Sequence, residues 1–291
     1  MRDSLGRTID YMRISVTDRC NLRCAYCMPP EGIASVPHNE ILRYEEILRV
    51  VQAGVQLGIV NYRITGGEPL IRKGITDFVR MLRETKGVQS VALTTNGVLF
   101  AGMGEALHAA GLDAVNFSLD CLDAGSFHRL TGANVWDRVM LGIDTALGLG
   151  IRTKVNCVPM EDYNAAHWTG IAALARDNPL DVRFIEMMPI GLGKGFAPVS
   201  SEAVKARLRA EYGEPVPSLR KHGNGPAEYY DYPGFTGSVG FISALSHAFC
   251  GGCNRMRLTA DGLLKACLSC GDGLDIKGLL RSGASGEALA A

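Results

Sequence analysis

The sequence carries no net charge, because 30 Lys and Arg residues offset 30 Asp and Glu residues. That balance removes the electrostatic footprint with which nucleic-acid binders hold a polyanion along a surface. It leaves room for a local basic pocket that takes a small anion. Long apolar runs are missing too. The longest stretch without a charged side chain, residues 232–254, contains Pro233, five glycines, a histidine and two cysteines, so it is no membrane span. Residues 1–10 lack the apolar core of a secretion signal, which points to the cytoplasm. Internal repeats and low-complexity tracts are absent. With 47% hydrophobic and 21% charged residues among 291, the chain reads as an ordinary globular protein. The length suits one barrel with an appendage, or two domains.

What the chain has in quantity is cysteine. Nine cysteines without an export signal call for an explanation in a reducing compartment, where clustered thiols bind metal or act in catalysis more often than they pair. Cys20, Cys24 and Cys27 stand together near the start, and Cys250, Cys253, Cys267 and Cys270 near the end. Cys121 and Cys157, isolated near strand ends, read as small buried hydrophobes.

Between the two sets, short β-branched runs alternate with longer amphipathic ones. Strands are expected over residues 11–16, 60–65, 88–94, 113–119, 152–158 and 182–187. Helices are expected over 44–58, 134–150, 166–176 and 200–212, with Gly58 and Gly150 as stops. Six strand-then-helix units imply parallel pairing, since parallel neighbours need long crossovers. The fold class is therefore α/β, with six units suggesting a partial barrel; from pattern alone a doubly wound sheet fits as well. Polar residues gather at the strand ends (Thr65 to Glu68, Thr94 to Gly97, Ser118 to Asp120, Glu186 to Met188), which places the chemistry on the C-terminal edge. After residue 213 four prolines and frequent glycines break the periodicity. This divides the chain into 1–213, the barrel with the first thiols, and 214–291, an extension with the second set that packs on the barrel.

Cys20-Asn-Leu-Arg-Cys24-Ala-Tyr-Cys27 has the spacing C-x3-C-x2-C. Three thiolates in eight residues can hold three corners of a [4Fe–4S] cube and leave the fourth iron open to an external ligand. A structural zinc loop is the alternative, but zinc wants four ligands and no fourth Cys or His lies near; His38 reads as a surface residue. Cys250, Cys253, Cys267 and Cys270 supply four thiols, which by spacing alone suit a zinc ribbon as well as a second cluster.

The N-terminal loop, followed by Met28-Pro29, together with Gly66-Gly67-Glu68-Pro69, resembles the signature pair of radical S-adenosylmethionine (SAM) enzymes. Cys250-x2-Cys253-Asn-Arg-Met-Arg-Leu-Thr-Ala-Asp-Gly-x4-Cys267, after Gly240-Phe-Ile-Ser243, is similar to the GTP 3′,8-cyclase family of molybdenum cofactor biosynthesis. The resemblance covers nearly the whole chain. It implies a partial (β/α)6 TIM-like barrel of the radical SAM type with a C-terminal iron–sulfur extension that closes the barrel. It assigns Cys20, Cys24 and Cys27 to a [4Fe–4S] cluster that binds SAM, and Cys250, Cys253 and Cys267 to a second [4Fe–4S] cluster facing the substrate purine. Cys270 is outside that pattern, either a bystander or a competing ligand.

For SAM the resemblance selects Tyr26, Gly67, Ser118 and Met188; core packing is the alternative for Met188. For GTP, which brings about four negative charges, it selects Arg13, Arg63, Thr94, Lys154, Arg255 and Arg257, and Arg183 is a residue of the same kind on the sixth strand. Charges inside strands would face the lumen at a desolvation cost unless paired, and several on one inner face make a phosphate pocket. Glu68 and Glu186 are candidates to hold these cations. No catalytic side chain is assigned beyond the clusters and SAM. The implied reaction uses a 5′-deoxyadenosyl radical to take the 3′ hydrogen of GTP, after which C3′ attacks purine C8. The implied partners are an external electron donor, a downstream cyclic pyranopterin monophosphate synthase and a second copy in a homodimer.

Two departures stand out. Family members continue past the equivalent of Gly283 with a helix and a tail ending in two glycines, whereas this sequence stops at Ala-Leu-Ala-Ala. Asn61 stands where many relatives carry lysine, and one lost phosphate contact costs about 1–3 kcal/mol. They motivate a nucleotide- and cluster-binding paralogue without turnover as an alternative. A radical SAM peptide or protein maturase is another, and a peptide-binding helper domain would discriminate it.

Overall fold

The computed structural model describes residues 2–3, 6–33, 36–246, 250–268 and 271–290. Cys270 lies outside the described residues. All six expected strands form: β1 Tyr11–Ser15, β2 Asn61–Thr65, β3 Ser90–Thr95, β4 Ala114–Ser118, β5 Arg152–Cys157 and β6 Asp181–Ile185. Each pairs in parallel with the next. The four expected helices form as α1 Tyr44–Gln56, α5 Trp136–Gly148, α7 Trp168–Asp177 and α8 Ser201–Tyr212. Gly58 and Gly150 follow their helices with φ of +88° and +68°, the left-handed geometry that ends a helix cheaply only at glycine. The remaining helices are α2 Ile75–Glu84, α3 Gly104–Ala109, α4 Ala124–Thr131, α6 Glu161–Asn164, α9 Ile276–Arg281 and α10 Gly286–Ala290.

The extension does not stand apart. It supplies β7 Val216–Pro217, β8 Glu228–Asp231, β9 Val239–Ile242, β10 Arg255–Leu258, β11 Leu263–Lys265 and β12 Leu274–Asp275. β9 joins β6 in parallel at one edge, and β10 joins β1 in parallel at the other. The result is one sheet in the order β12-β11-β10-β1-β2-β3-β4-β5-β6-β9-β8-β7, whose eight central strands are parallel. Antiparallel ribbons flank both edges. Among the described residues the sheet does not close, so the barrel is partial.

Side chains alternate strictly along the central strands. Met12, Ile14, Tyr62, Ile64, Leu93, Val115, Phe117, Val155 and Phe184 turn outward and are almost fully buried under the helices. Ile47, Val50 and Val51 of α1 and Ile171, Ala172 and Ala175 of α7 belong to the same core. Cys121 and Cys157 are both buried in it, as expected of small apolar side chains. The opposite, inward face carries the polar set. Among the described residues no helix is long and apolar enough to cross a membrane.

Candidate active site

The inward face encloses a cavity of about 760 Å³, within the range of small-molecule sites. Arg13, Arg63, Thr94, Ser118, Lys154, Arg183, Arg255 and Tyr26 all line it. It also runs further than the sequence suggested. Beside the C-terminal strand ends it reaches Asn61, Ser90, Arg152 and Asp181 at the N-terminal ends, so the lumen is open from one edge to the other.

The two thiol sets lie near opposite ends of β1, and none of their six described side chains lines the cavity itself. Cys20 to Cys27 follow β1, whereas Asn254, next to Cys253, meets the start of β1: its carbonyl accepts from Asp10 N and Tyr11 N, both at 3.3 Å. Arg7 Nη1 reaches the Cys250 carbonyl at 3.0 Å at the same end. β10 runs up from Arg255 and β11 returns antiparallel, with Arg257 opposite Lys265, which brings Cys267 back to the level of Arg255. Cys253 and Cys267 both act electrostatically on Arg257, consistent with their shared neighbourhood. The five residues of β1 between the two sets rise about 3.3 Å each.

At the upper end the Cys20 loop is fixed from three sides. Cys24 carbonyl accepts from Cys27 N at 2.8 Å and Met28 N at 3.0 Å, forming the tight turn. Arg23 N and Ala25 N donate to carbonyls of α4. Gly67 N donates to Thr17 O and Glu68 N to Arg19 O, both at 2.7 Å, so the Gly66–Gly67–Glu68 segment lies directly against the chain entering the loop. A β-carbon on Gly67 would sit 2.1 Å from Arg19 O, which explains the glycine locally, beside any contact it makes with SAM. Gly67→Ala is expected to fold but to displace the loop and lower SAM cleavage by about tenfold or more; cleavage at the wild-type rate would contradict this placement.

Cys24, Tyr26, Ser118 and Asp120 meet at a second small cleft beneath the loop. Tyr26 Oη donates to Asp120 Oδ2 at 2.8 Å, and Val158 N to Asp120 Oδ1 at 2.7 Å. Burial raises the Asp120 carboxyl to about 6 against those bonds. Asp120 is a site residue that the sequence reading missed. Burial also raises the thiols of Cys20, Cys24 and Cys27, with Glu68 adding to it at Cys20 and Asp120 at Cys24. Ligation of a metal would favour loss of those protons. The donor set, three cysteines in one eight-residue loop with Leu22 N 3.4 Å from Cys20 Sγ, suits three-point ligation of an iron–sulfur cube. Among the described residues no group of three or more His, Cys, Asp or Glu side chains is arranged around a single metal ion.

The lumen is rich in unneutralised cation. Arg257, Arg13 and Arg63 stand at one register across β10, β1 and β2. Burial, then Arg63, Arg257 and Arg255, lowers Arg13 to about 10 against an opposing pull from Tyr11. Arg63 donates to Tyr11 Oη and, at 3.4 Å, to Thr94 Oγ1. Arg183, 8% exposed, donates to Asn156 Oδ1 at 2.9 Å. Among the described residues no carboxylate pairs with Arg13, Arg63 or Arg183 within ion-pair distance. Asn116, on the wall of the cavity, has its Oδ1 buried without a hydrogen-bond donor.

Three expected residues sit differently. Gly67, Met188 and Arg257 do not line the cavity; Met188 follows β6, where its carbonyl accepts from Ile190 N at 2.8 Å. Glu68 and Glu186 hold no cation. Glu68 accepts from Leu70 N, Thr95 Oγ1 and Asn96 N, tying the ends of β2 and β3 behind the Cys20 loop. Glu186 accepts from Ser201 N, Leu245 N, Ser246 N and Ser246 Oγ, which hold it down to about 2 although burial opposes them. The carboxylate that does face a cation is Asp181, on Lys154 at 2.7 Å. Adjacent strands bring Asp181 and Lys154 together, and residue spacing carries no trace of that.

Comparisons with known proteins identify the family. Residues 14–175 match the family model of the radical SAM superfamily, and residues 180–291 that of Molybdenum Cofactor Synthesis C. A GTP 3′,8-cyclase of Thermodesulfovibrio yellowstonii is 46% identical over 99% of this chain and 90% of its own. One from Clostridium perfringens is 40% identical over 99% of this chain and 90% of its own. Among solved structures, Streptococcus suis SuiB bound to S-adenosylmethionine shares the fold with a TM-score of 0.63 at 15% identity, over 90% of this chain and 60% of that one. The chain therefore belongs to the GTP 3′,8-cyclase family of molybdenum cofactor biosynthesis, within the radical SAM superfamily.

Proposed function

We propose that this chain is a GTP 3′,8-cyclase, joining C3′ of the ribose to C8 of the purine to give (8S)-3′,8-cyclo-7,8-dihydroguanosine 5′-triphosphate. The observation that carries the reading is the pair of thiol sets near opposite ends of β1, beside one cation-lined lumen. Cys20, Cys24 and Cys27 would hold the cluster that binds SAM at the upper end; Cys250, Cys253 and Cys267 would hold the second at the lower end. When bound, the upper cluster with SAM and an external electron donor supplies a 5′-deoxyadenosyl radical.

The protein's own part is orientation and exclusion of water. Tyr26, Ser118 and the backbone at Gly67 would position SAM, with Met188, just after β6, as a further contact. Asp120 fixes the Tyr26 ring. Arg13, Arg63, Arg183, Lys154, Thr94 and Arg255 hold the nucleotide, with Arg257 beside Arg13 in register, arginine forks matching phosphate oxygens. Asn116 Oδ1 offers an acceptor to a nucleotide N–H or hydroxyl. The cyclised product is the substrate of a cyclic pyranopterin monophosphate synthase. Anaerobic incubation with GTP, SAM and a reductant should yield a product that gives a pterin on acid oxidation. Deoxyadenosine release without consumption of GTP would overturn the reading.

Lys154 gives the site a pH limit. Burial, with Arg183 adding to it and Asp181 opposing, lowers its ammonium to about 8. A group with a depressed lysine value is charged below that pH and neutral above it. The contribution of Lys154 to GTP affinity should therefore be lost as pH rises through about 8. Titration calorimetry on either side of that pH checks it, and an unchanged affinity at pH 9.5 would contradict it.

A further inference from the structure

Beside the cations of the inner wall, residues 218–226 supply a second basic layer to the cavity. This segment, between β7 and β8, crosses the lower part of the cavity; Arg220, Lys221, His222, Gly223, Asn224 and Gly225 all line it. It contains three basic residues and no acidic one. Its anchor is Lys154. The ammonium donates to Asp181 Oδ2 at 2.7 Å, to the His222 carbonyl at 2.6 Å and to Tyr229 Oη at 2.8 Å, which uses all three of its hydrogens. His222 Nδ1 lies 3.0 Å from the same Asp181 oxygen and Nε2 2.9 Å from Ser218 Oγ. Its ring stacks on Tyr229 at 3.9 Å and 14°. Arg220 is fixed outside by Asp231 at 2.7 Å. Lys221 is exposed and makes no ion pair among the described residues. Gly225 closes the segment over Arg183, whose Nη1 lies 3.8 Å from where a β-carbon would stand.

Without a nucleotide, then, a cation suited to phosphate is engaged by a neutral carbonyl of the segment. A phosphate oxygen is a stronger acceptor for an ammonium than a peptide carbonyl. Its arrival at Lys154 would displace the His222 carbonyl, while Asp181 keeps hold of both Lys154 and the His222 ring. We propose that residues 218–226 form a cationic strap that binds the terminal phosphates of the nucleoside triphosphate, positioned by Asp181 through His222 and Lys154. The proposal rests on the reading of the cavity as a GTP site and adds the element that distinguishes a triphosphate from a monophosphate. Lys221 and the backbone N–H groups around Gly223 and Gly225 supply the new contacts.

The test compares binding of GTP and GMP to the anaerobically reconstituted enzyme and its Lys221→Glu variant. Lys221 is solvent-facing and its replacement leaves the core untouched. The expected result is a rise of about tenfold in Kd for GTP with GMP unchanged to within about twofold. A second measurement needs no variant: hydrogen exchange over residues 218–226 should slow on adding GTP and not on adding GMP. If wild-type protein binds GTP but the variant shifts both nucleotides equally or neither, and exchange does not separate them, the strap is overturned while the cyclase reading stands. If wild-type protein binds no GTP, both fall.

Discussion

In a Cys24→Ser variant, 5′-deoxyadenosine formation from SAM is expected to vanish, a loss on the order of a thousandfold or more. Serine keeps the shape of cysteine but binds iron poorly, so the substitution addresses ligation and leaves packing nearly intact. The turn around Cys24 is built from its own backbone carbonyl, which accepts from Cys27 N and Met28 N, and from Ala25 N on Leu130 O. None of those bonds uses the sulfur. The fold should therefore survive. GTP binding, which uses side chains on the strands and not the sulfur of Cys24, should persist within about threefold. Product analysis under reducing conditions, with nucleotide binding measured on the same protein, checks both halves. Deoxyadenosine released at more than a few per cent of the wild-type rate would contradict the assignment of Cys24 (roughly, by the same scale).

Cys253→Ser is expected to fail differently. Cys253 precedes β10, whose first residue pairs with Tyr11 at the lower end of β1. The Cys20 loop, by contrast, packs on α4 and the Gly66–Glu68 segment at the upper end. Damage at the lower end should therefore leave uncoupled SAM cleavage partly intact while cyclised product falls by about a hundredfold or more, because the purine loses its anchor. The contrast between the two variants is the informative quantity. Equal loss of uncoupled cleavage in both would refute the division of labour between the two thiol sets.

Much of this was legible in the sequence because it is local. Three thiols in eight residues, six β-branched runs and a period of four in the helices each depend on near neighbours. What joins the ends of the chain was not legible. Nothing in the text around Val239 or Arg255 says that β9 would extend the sheet beyond β6 while β10 extends it beyond β1; those edges are decided by tertiary packing. The same limit hid the partner of Lys154. Glu68 and Glu186 lie in strand-end motifs, so sequence favoured them as counter-ions. Burial gave them other work, because the strand ends they sit on present unpaired backbone N–H groups that need an acceptor. Asp181 opens β6, directly across from Lys154 in register. Arg13, Arg63 and Lys154, selected by the resemblance and expected to face the lumen from inside β1, β2 and β5, do line it.

The C-terminal extension gains its importance from the same topology. By flanking both edges it brings the second thiol set to the lower end of β1, and Arg255 and the 218–226 strap to the lumen, the strap beside β5 and β6. A chain ending after β6 would keep the SAM half of the site and lack much of the lower wall.

The most direct measurement is the iron and sulfide content of anaerobically prepared protein, with an electron paramagnetic resonance spectrum recorded before and after adding GTP. Two three-thiol clusters predict about eight irons per chain and a spectrum in which only one of two signals changes with GTP. About four irons with a spectrum indifferent to GTP, or zinc retained at the C-terminal thiols, would contradict a nucleotide held between two open clusters.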